Sequence, residues 1–202
     1  MSAAGKTTAE HRAERRARER KLTREAILEA ARRVAAREGA NLSLRAVAAE
    51  AGFAPAALYG YFANKSELLI ALAAEDLSDL ARVLRAARGE NGASRLGAAA
   101  EAALALLQNS DTFATAPGAL PAEVGSSEAE RLFNGRLIAV LRALSDASGH
   151  PADSRAAQAD IVLLAATLAG LAVFARSGRL AALGFSPADM IAALDRRFLP
   201  AP

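Results

Sequence analysis

The chain has 202 residues, of which 52% are hydrophobic and 23% charged, so it can bury a sizeable core in one large or two small domains. It contains no cysteine, which excludes disulfides, thiolate metal sites and cysteine nucleophiles and suits a reducing cytoplasm. The net charge of +3 conceals an asymmetry, because residues 1–68 carry +5 (13 Lys/Arg against 8 Asp/Glu) and residues 69–202 carry −2 (12 against 14). A basic first third joined to a mildly acidic remainder indicates an anion-binding module on a neutral body.

The residue types favour helices throughout. Alanine is abundant, leucine, arginine and glutamate are common, and β-branched residues are scarce, so we predict an all-α fold of about nine helices. The longest apolar run, residues 161–175, is shorter than the roughly 20 residues that a membrane-spanning helix needs. We therefore expect a helix buried in protein there and no membrane partner.

The N-terminal segment and the first helix differ in character. Residues 1–21 are polar and basic and have no apolar face, so we predict a flexible arm rather than a stable helix. Apolar residues then recur at helical spacing, and Thr23 can cap a first helix that ends near Glu38. Gly39 follows, as is common just past a helix C-terminus.

Two short helices separated by a turn are predicted next. Ser43 can cap the second helix, and Gly52 ends it. Pro55 stands where a third helix begins and is favoured there because its missing N–H would be unpaired anyway. This third helix is predicted to reach about Phe62. The arrangement is the pattern of a helix-turn-helix.

The remaining predicted helices are longer. Asn64 can cap a fourth helix that runs towards Arg88, and Glu67 completes a capping box three residues on. Further helices are predicted from Ser94 to about Asn109 and over about 127–147, 153–176 and 187–198, with a loop over 110–125.

The two short helices divide into an inner and an outer face. Leu44, Val47, Ala48, Leu58 and Phe62 can pack inward, and Phe53 can fill the turn between the helices. The outer face is small and carries two phenols, which can approach a DNA groove and donate hydrogen bonds to phosphate or base edges. The alternative is that both tyrosines seal the edge of the domain. The outer residues are Ala54, Ala56, Ala57, Tyr59, Gly60 and Tyr61.

The segments LSLRAVAAEAGF and LYGYFANKSELL resemble the N-terminal domain of the tetracycline-repressor (TetR) family of bacterial transcriptional regulators. The resemblance covers residues 22–72, about a quarter of the chain. The family spacing Leu-Tyr-x-x-Phe-x-x-Lys-x-x-Leu fits Leu58, Tyr59, Phe62, Lys65 and Leu68. In that family the third helix is a short recognition helix.

The resemblance implies roles for single residues. Tyr59, Lys65 and Ser43 match positions that contact the DNA backbone, and Arg45 matches a position where some members place a base-reading arginine. The alternative for Arg45 is an exposed side chain that touches only phosphate. Members often carry serine or threonine where this chain has Ala54 and Ala57, so two hydrogen bonds to DNA are absent. The predicted DNA-binding residues are Ser43, Arg45, Ala54, Pro55, Ala56, Ala57, Tyr59, Tyr61 and Lys65.

The resemblance further implies that a DNA-binding domain over 22–68 precedes an effector-binding and dimerising domain over 69–202. The basic arm over 1–21 could follow DNA phosphates or enter the minor groove, and a solvated tail is the alternative. Small or apolar residues of two C-terminal helices are the predicted dimer interface, namely Ala165, Ala169, Ala172, Met190, Ile191, Leu194 and Phe198. An apolar pocket among the middle helices is predicted, although core packing is an alternative role for each candidate. These candidates are Gln108, Asn109, Phe113, Phe133, Asn134, Leu137, Thr167 and Leu171.

We therefore predict a cytoplasmic, ligand-responsive repressor that binds a palindromic operator as a homodimer and is released by an apolar or amphipathic small molecule. No cofactor or metal is implied. A helical protein-interaction module and an all-α enzyme are the competing interpretations. The enzyme is disfavoured because the sequence has no nucleophile elbow, phosphate-binding loop, metal-binding histidine pair or Rossmann fingerprint.

Overall fold

A computed structural model describes residues 8–89, 94–110, 127–149 and 153–198. These residues form nine α-helices and one 3₁₀ turn and contain no strand, which confirms the predicted all-α class. The predicted loop over 110–125 lies, apart from Ser110, outside the described residues, as does the candidate pocket residue Phe113. The helices are α1 (Thr8–Glu38), the 3₁₀ turn (Gly39–Asn41), α2 (Leu44–Ala51), α3 (Pro55–Leu58), α4 (Lys65–Ala86), α5 (Arg95–Gln108), α6 (Glu128–Ser148), α7 (Arg155–Arg176), α8 (Arg179–Ala182) and α9 (Pro187–Phe198).

Serine caps position most of the helix starts where the sequence predicts them. Ser43, Ser94 and Ser127 precede α2, α5 and α6, and each hydroxyl oxygen accepts a hydrogen bond from the backbone N–H three residues on. Ser127 and Glu130 form a reciprocal capping box. At α4, Asn64 accepts from the N–H of Glu67 at 2.8 Å, but the Glu67 carboxylate accepts from Ala63 rather than from the cap residue.

The predicted start of the first helix at Thr23 is wrong, because α1 begins at Thr8. The hydroxyl of Thr23 donates to the backbone oxygen of Glu19 at 2.9 Å, so this residue lies inside the helix and does not cap it. Alanine, arginine and glutamate are strong helix formers, and an i,i+4 ion pair joins Arg15 to Glu19 at 3.8 Å. These local preferences make residues 8–21 helical, although the segment has no apolar face from which a helix could be predicted.

The third helix is shorter than the sequence predicts. Only Pro55–Leu58 are helical, and the chain then continues to Phe62 in turns. The N–H groups of Tyr61 and Phe62 both donate to the carbonyl oxygen of Leu58 at 2.9 Å, which preserves the path of a tight helical turn. Ala54 stands at the N-cap and makes no side-chain cap hydrogen bond, as expected for alanine.

The chain divides into two compact units, Met1–Leu68 and Leu69–Pro202. In the first unit, hereafter unit 1, α1 packs against α2, and α2 packs against α3. Its buried side chains come from all three helices and the following turn. They include Ile27, Ala31, Val34, Val47, Ala48, Leu58 and Phe62.

The second unit, hereafter unit 2, is a helical bundle in which α5 packs against α6, α7 and α9. One hydrophobic cluster forms its core and includes residues of the part of α4 beyond Leu69. Its fully buried members include Leu84, Leu96, Ala100, Leu144 and Leu164.

Helix α7 is apolar on more than the side that faces the core. In the described part of the chain, it is the one helix long and apolar enough to cross a membrane, although only 22% of its most apolar 18-residue window is buried. Ile161, Leu164 and Leu168 lie in the core of unit 2. Outside the core, α7 and the segment after it expose six large apolar side chains, which are hereafter called the apolar face. It consists of Val162, Leu163, Val173, Phe174, Leu183 and Phe185.

The N-terminus of α5 is fastened to α9 by a close polar contact. The hydroxyl of Ser94 donates to the Asp195 carboxylate at 2.8 Å and accepts from the N–H of Gly97 at 2.7 Å. A Cβ on Gly97 would lie 2.8 Å from the nearer Asp195 oxygen and 3.2 Å from the Ser94 hydroxyl. Any larger residue at this point of α5 therefore requires the Asp195 carboxylate to move out of its contact with Ser94.

We predict that Gly97→Ala destabilises unit 2 by about 1 kcal/mol or more, because the overpacking cost exceeds the usual helix-propensity gain of alanine over glycine. Gly135 in α6 is the matched control, since a Cβ there would meet no atom within 4 Å. Gly135→Ala should stabilise the protein by about 0.5–1 kcal/mol. Thermal unfolding measures both, and a Gly97→Ala protein as stable as Gly135→Ala would contradict the packing argument.

Candidate nucleic-acid interface

The turn between α2 and α3 depends on one left-handed residue. Gly52 has φ +74°, a conformation that L side chains seldom adopt. Its N–H and that of Phe53 donate to the carbonyl oxygens of Ala49 and Ala48 and so close the C-terminus of α2. Three residues, 52–54, connect α2 to α3, which begins at Pro55. This geometry is that of a helix-turn-helix.

The inner face of this module is close to the prediction. Val47, Ala48, Leu58 and Phe62 are fully buried, and Phe53 is half-buried in the turn. Leu44 is also only half-buried. Leu58 and Phe62 lie four residues apart, so both sit on the same side of the segment and anchor it to the core of unit 1.

The outer face of α3 is small and solvent-exposed. Ala54, Pro55, Ala56 and Ala57 are all exposed, and the side chain of Tyr59 is 60% exposed. No side chain on this face is larger than proline except Tyr59. The face can therefore approach another surface closely and present one phenol to it.

Tyr61 has a different environment from Tyr59. It is half-buried, and the guanidinium carbon of Arg20 lies 5.0 Å from the centre of its ring. The same guanidinium donates a 2.8 Å hydrogen bond from Nη2 to the carbonyl oxygen of Gly60. Arg24, one turn further on, lies 4.8 Å above the ring of Phe62. These contacts favour the alternative that Tyr61 seals the edge of the domain over the prediction that it contacts DNA.

The contacts of Arg20 and Arg24 were not predicted from the sequence. Both residues lie in or near the segment expected to be a flexible arm, and their role depends on α1 starting at Thr8. One signal was available: Arg20, Ile27 and Val34 are spaced by seven residues and so share one face of a helix.

Three further candidates, Ser43, Arg45 and Lys65, are exposed side chains of unit 1. The Ser43 oxygen accepts from the N–H of Ala46 at 3.1 Å, so only its hydroxyl proton remains to be donated. Lys65 is the first residue of α4, where a helix N-terminus favours anions. Both side chains can therefore reach a phosphate.

An ion-pair cluster joins α1 to α2. The Glu50 carboxylate accepts from Arg33 at 2.7 Å and from Arg37 at 3.2 Å, and its side chain is 24% exposed. These two guanidinium hydrogen bonds hold the pKa of Glu50 below its ordinary value of 4.5. The cluster fixes the helix-turn-helix against the long first helix.

Unit 2 contains an apolar cavity of about 360 Å³ among α4, α5, α6 and α7. This volume lies within the range of about 300–1,000 Å³ typical of small-molecule sites. Of the residues that line it in the described chain, only Asp76 carries a charge, and the Ser110 hydroxyl donates to it at 2.7 Å. A larger open groove of about 1010 Å³ lies between α6 and α7 and has charged walls that include Arg142 and Arg155.

Of the seven pocket candidates that the structure describes, Phe133 and Leu137 lie in the cavity wall. Asn134 is exposed, and Leu171 packs against the core of unit 2. Asn109 and Thr167 are exposed and donate to the carbonyl oxygens one turn before them, as polar residues in helices often do. Gln108 is half-buried outside the cavity wall, and its carbonyl oxygen accepts from Arg176 at 3.4 Å.

Most of the predicted dimer residues lie in or against the core of unit 2. Ala172 and Leu194 are 1% and 4% exposed and belong to the core of unit 2, so they have no surface for a partner. Ile191 and Phe198 pack against the same core, because α9 turns its apolar side towards α5 rather than outward. Ala165 of α7 also packs against this core and lines the cavity. Ala169 lines the cavity, and Met190 is half-buried.

Among the described residues, no three histidine or carboxylate side chains are grouped closely enough to hold a metal ion.

Residues 27–72 match the sequence model of a family described as bacterial regulatory proteins, tetR family. A protein of unknown function from Rhodococcus sp. RHA1 is 25% identical over 87% of this chain and 93% of its own, with a TM-score of 0.64. A putative transcriptional regulator from Pseudomonas aeruginosa PAO1 is also 25% identical, with the same coverage and a TM-score of 0.55. No curated protein matches the chain.

The fatty acid degradation regulator from Bacillus halodurans shares the fold alone. It is 18% identical over 88% of this chain and 95% of its own, with a TM-score of 0.53.

We predict that Glu50→Gln lowers the thermal stability of unit 1 at neutral pH. A carboxylate whose folded pKa is depressed stabilises the fold above its unfolded pKa, and this contribution is lost as the pH falls through the folded pKa. The difference in melting temperature between wild type and variant should therefore be constant above about pH 5 and shrink in acid. Glu101→Gln, at an exposed position of α5, is the control. A difference that grows in acid would contradict the assignment.

Proposed function

Because the chain belongs to the tetR family of bacterial regulatory proteins, we propose that it is a repressor that binds a palindromic operator as a homodimer and leaves it when a small molecule occupies unit 2. The observation that carries this proposal is the exposed outer face of α3, where four small residues flank Tyr59. The protein is a DNA-binding regulator, and its dimeric, ligand-dependent action in the cytoplasm is part of the proposal.

The proposed contact with DNA uses α3 in the major groove. A face of alanines and one proline lets the backbone approach base edges, and methyl groups suit contact with thymine. Tyr59 and Lys65 contact phosphates on either side of the groove, and the Ser43 hydroxyl donates a hydrogen bond to another phosphate. Arg45 reads a guanine, because a guanidinium can donate two hydrogen bonds to that base.

The proposed dimer forms through the apolar face. A single module with a one-turn α3 reads few base pairs, whereas two copies one DNA turn apart read a palindrome. The apolar face has six large apolar side chains that are 45–64% exposed, and exposed apolar surface of this kind marks interaction sites. Leu163 and Phe174 belong to it, and Gly170 between them lets a second helix come close.

The proposed effector occupies the apolar cavity. Its walls suit an apolar or amphipathic molecule, because Asp76 is the one charged residue among the described residues that line it. Helix α4 belongs to both units, since it begins at Lys65 and extends past Leu69 to Ala86. A molecule that binds better to one arrangement of α4 shifts the population towards it and away from the DNA-binding state. A cavity ligand that leaves operator affinity unchanged would contradict this step.

The direct test starts by selecting duplexes from a random library with the full-length protein. On the selected duplex, we predict that Arg45→Ala costs about 1–3 kcal/mol and relaxes the base preference at one position of each half-site. Lys65→Ala should weaken binding to all sequences alike and reduce the salt slope by about 1.

Arg85→Ala is the matched control, because it removes one exposed positive charge from the unit 2 portion of α4. It should leave both affinity and base preference nearly unchanged. If the wild-type protein enriches no duplex, or if its affinity does not fall as salt rises, the DNA-binding proposal fails and the interaction-module interpretation gains support.

For the dimer, we predict that Leu163→Glu gives a monomer, because the new carboxylate would be buried without a partner in the interface. Sedimentation equilibrium measures the change, and operator affinity should fall with it. Ala105→Glu places the same charge on an exposed position of α5 and should leave the dimer intact. A wild-type chain that sediments as a monomer, or a dimeric Leu163→Glu protein, would contradict the proposed interface.

A further inference from the structure

The first helix carries a row of arginines on the side that faces the core. Arg12, Arg16 and Arg20 are spaced by four residues, so they lie along one face of α1. Arg20 is seven residues before Ile27, which is fully buried, so this face continues the one that packs against α2 and α3 further along. We name the row Arg12–Arg16–Arg20 the arginine ridge.

The ridge begins in direct contact with the segment proposed to enter the DNA. Arg20 donates to the carbonyl oxygen of Gly60 at 2.8 Å and lies over the ring of Tyr61. Gly60 immediately follows Tyr59, whose phenol is exposed. From this contact, Arg16 and Arg12 lie about 6 Å and 12 Å further along the helix axis, at 1.5 Å per residue.

The two outer members of the ridge are exposed. Arg12 and Arg16 make no hydrogen bond or ion pair with any part of the chain that the structure describes. Glu14 is two residues from each of them and so lies on the opposite side of the helix. Glu19 lies three residues after Arg16 and pairs with Arg15 at 3.8 Å.

From these observations, we propose that the arginine ridge binds the phosphate backbone of the duplex outside the base pairs that α3 reads. Arg12 and Arg16 contact phosphates, and Arg20 is a positioning residue that fixes the ridge to the recognition segment. The inference rests on the proposed DNA-binding function and adds a second contact surface to it.

Phosphates fit the ridge better than an acidic protein surface does. The ridge continues directly from the proposed recognition segment, so a duplex held there extends past it on one side. Guanidinium groups suit phosphate because they donate two hydrogen bonds in one plane and are never deprotonated. A one-turn recognition helix buries little surface, and a second row of contacts supplies affinity that four small residues cannot.

The test compares two double variants of the full-length chain that have equal charge. Arg12→Ala/Arg16→Ala removes the outer ridge, and Arg15→Ala/Arg18→Ala removes two exposed arginines from other faces of the same helix turns. Alanine is the best helix former, so both variants should keep α1, which circular dichroism confirms. The probe is the duplex selected with the wild-type protein, used at several salt concentrations.

The ridge variant should lose about 60-fold in affinity at 0.1 M salt and about ninefold at 0.3 M, with a salt slope smaller by about 1.8, as expected for two lost phosphate contacts. The control variant should lose a few-fold at most, through its lower net charge alone. Equal losses in the two variants would overturn the ridge and leave the DNA-binding proposal standing. If the wild type selects no duplex, the proposed function itself fails.

Shortening the duplex gives an independent measurement. Removing the base pairs that lie outside those read by α3 should weaken wild-type binding until it equals that of the ridge variant, and should leave the ridge variant unaffected. Arg20→Ala should lower affinity with no more loss of salt slope than the control, because it breaks the contact with Gly60 and removes no phosphate contact. Full wild-type affinity on the shortened duplex would contradict the proposal.

Discussion

The burial of Leu58 and Phe62 is the constraint on which the rest of the account depends. Both side chains are fully buried in unit 1, and their four-residue spacing fixes the rotation of the segment that contains them. Tyr59, which follows Leu58 directly, must then point outward together with the small residues of α3. The exposed surface proposed to meet DNA is therefore a consequence of packing rather than an independent feature.

The supports of this segment come mainly from α1. Hydrophobic contacts hold its inner side, Glu50 joins Arg33 and Arg37 across α1 and α2, and Arg20 fastens the turn after α3. Ion pairs this exposed are individually weak. We therefore ascribe the position of the α3 segment mainly to its buried side chains, and its alignment along α1 to the polar contacts. Because α1 is continuous from Thr8 to Glu38, it joins the basic residues 8–21 rigidly to the helix-turn-helix.

The sequence predicted those features that rest on local chemistry. Serine caps, left-handed glycines and helical periodicity placed most helix ends correctly, because each depends on a few neighbouring residues. The start of α1 and the cavity wall were missed, since many weak helix preferences decide the first and the mutual rotation of four helices decides the second. Leucine shows the limit well: in α7 and α9 the same apolar periodicity suits the core and an interface, and only packing places Leu194 inside and leaves Leu163 outside.

Hydroxyl-radical footprinting of the full-length protein on its selected duplex tests the central claim most directly. Two copies of the exposed α3 surface, held together through unit 2, should protect two half-sites on one side of the duplex. Their centres should lie about 34–36 Å apart, or a multiple of that distance. A single protected patch without symmetry, or protection that does not follow the helical repeat, would contradict the account.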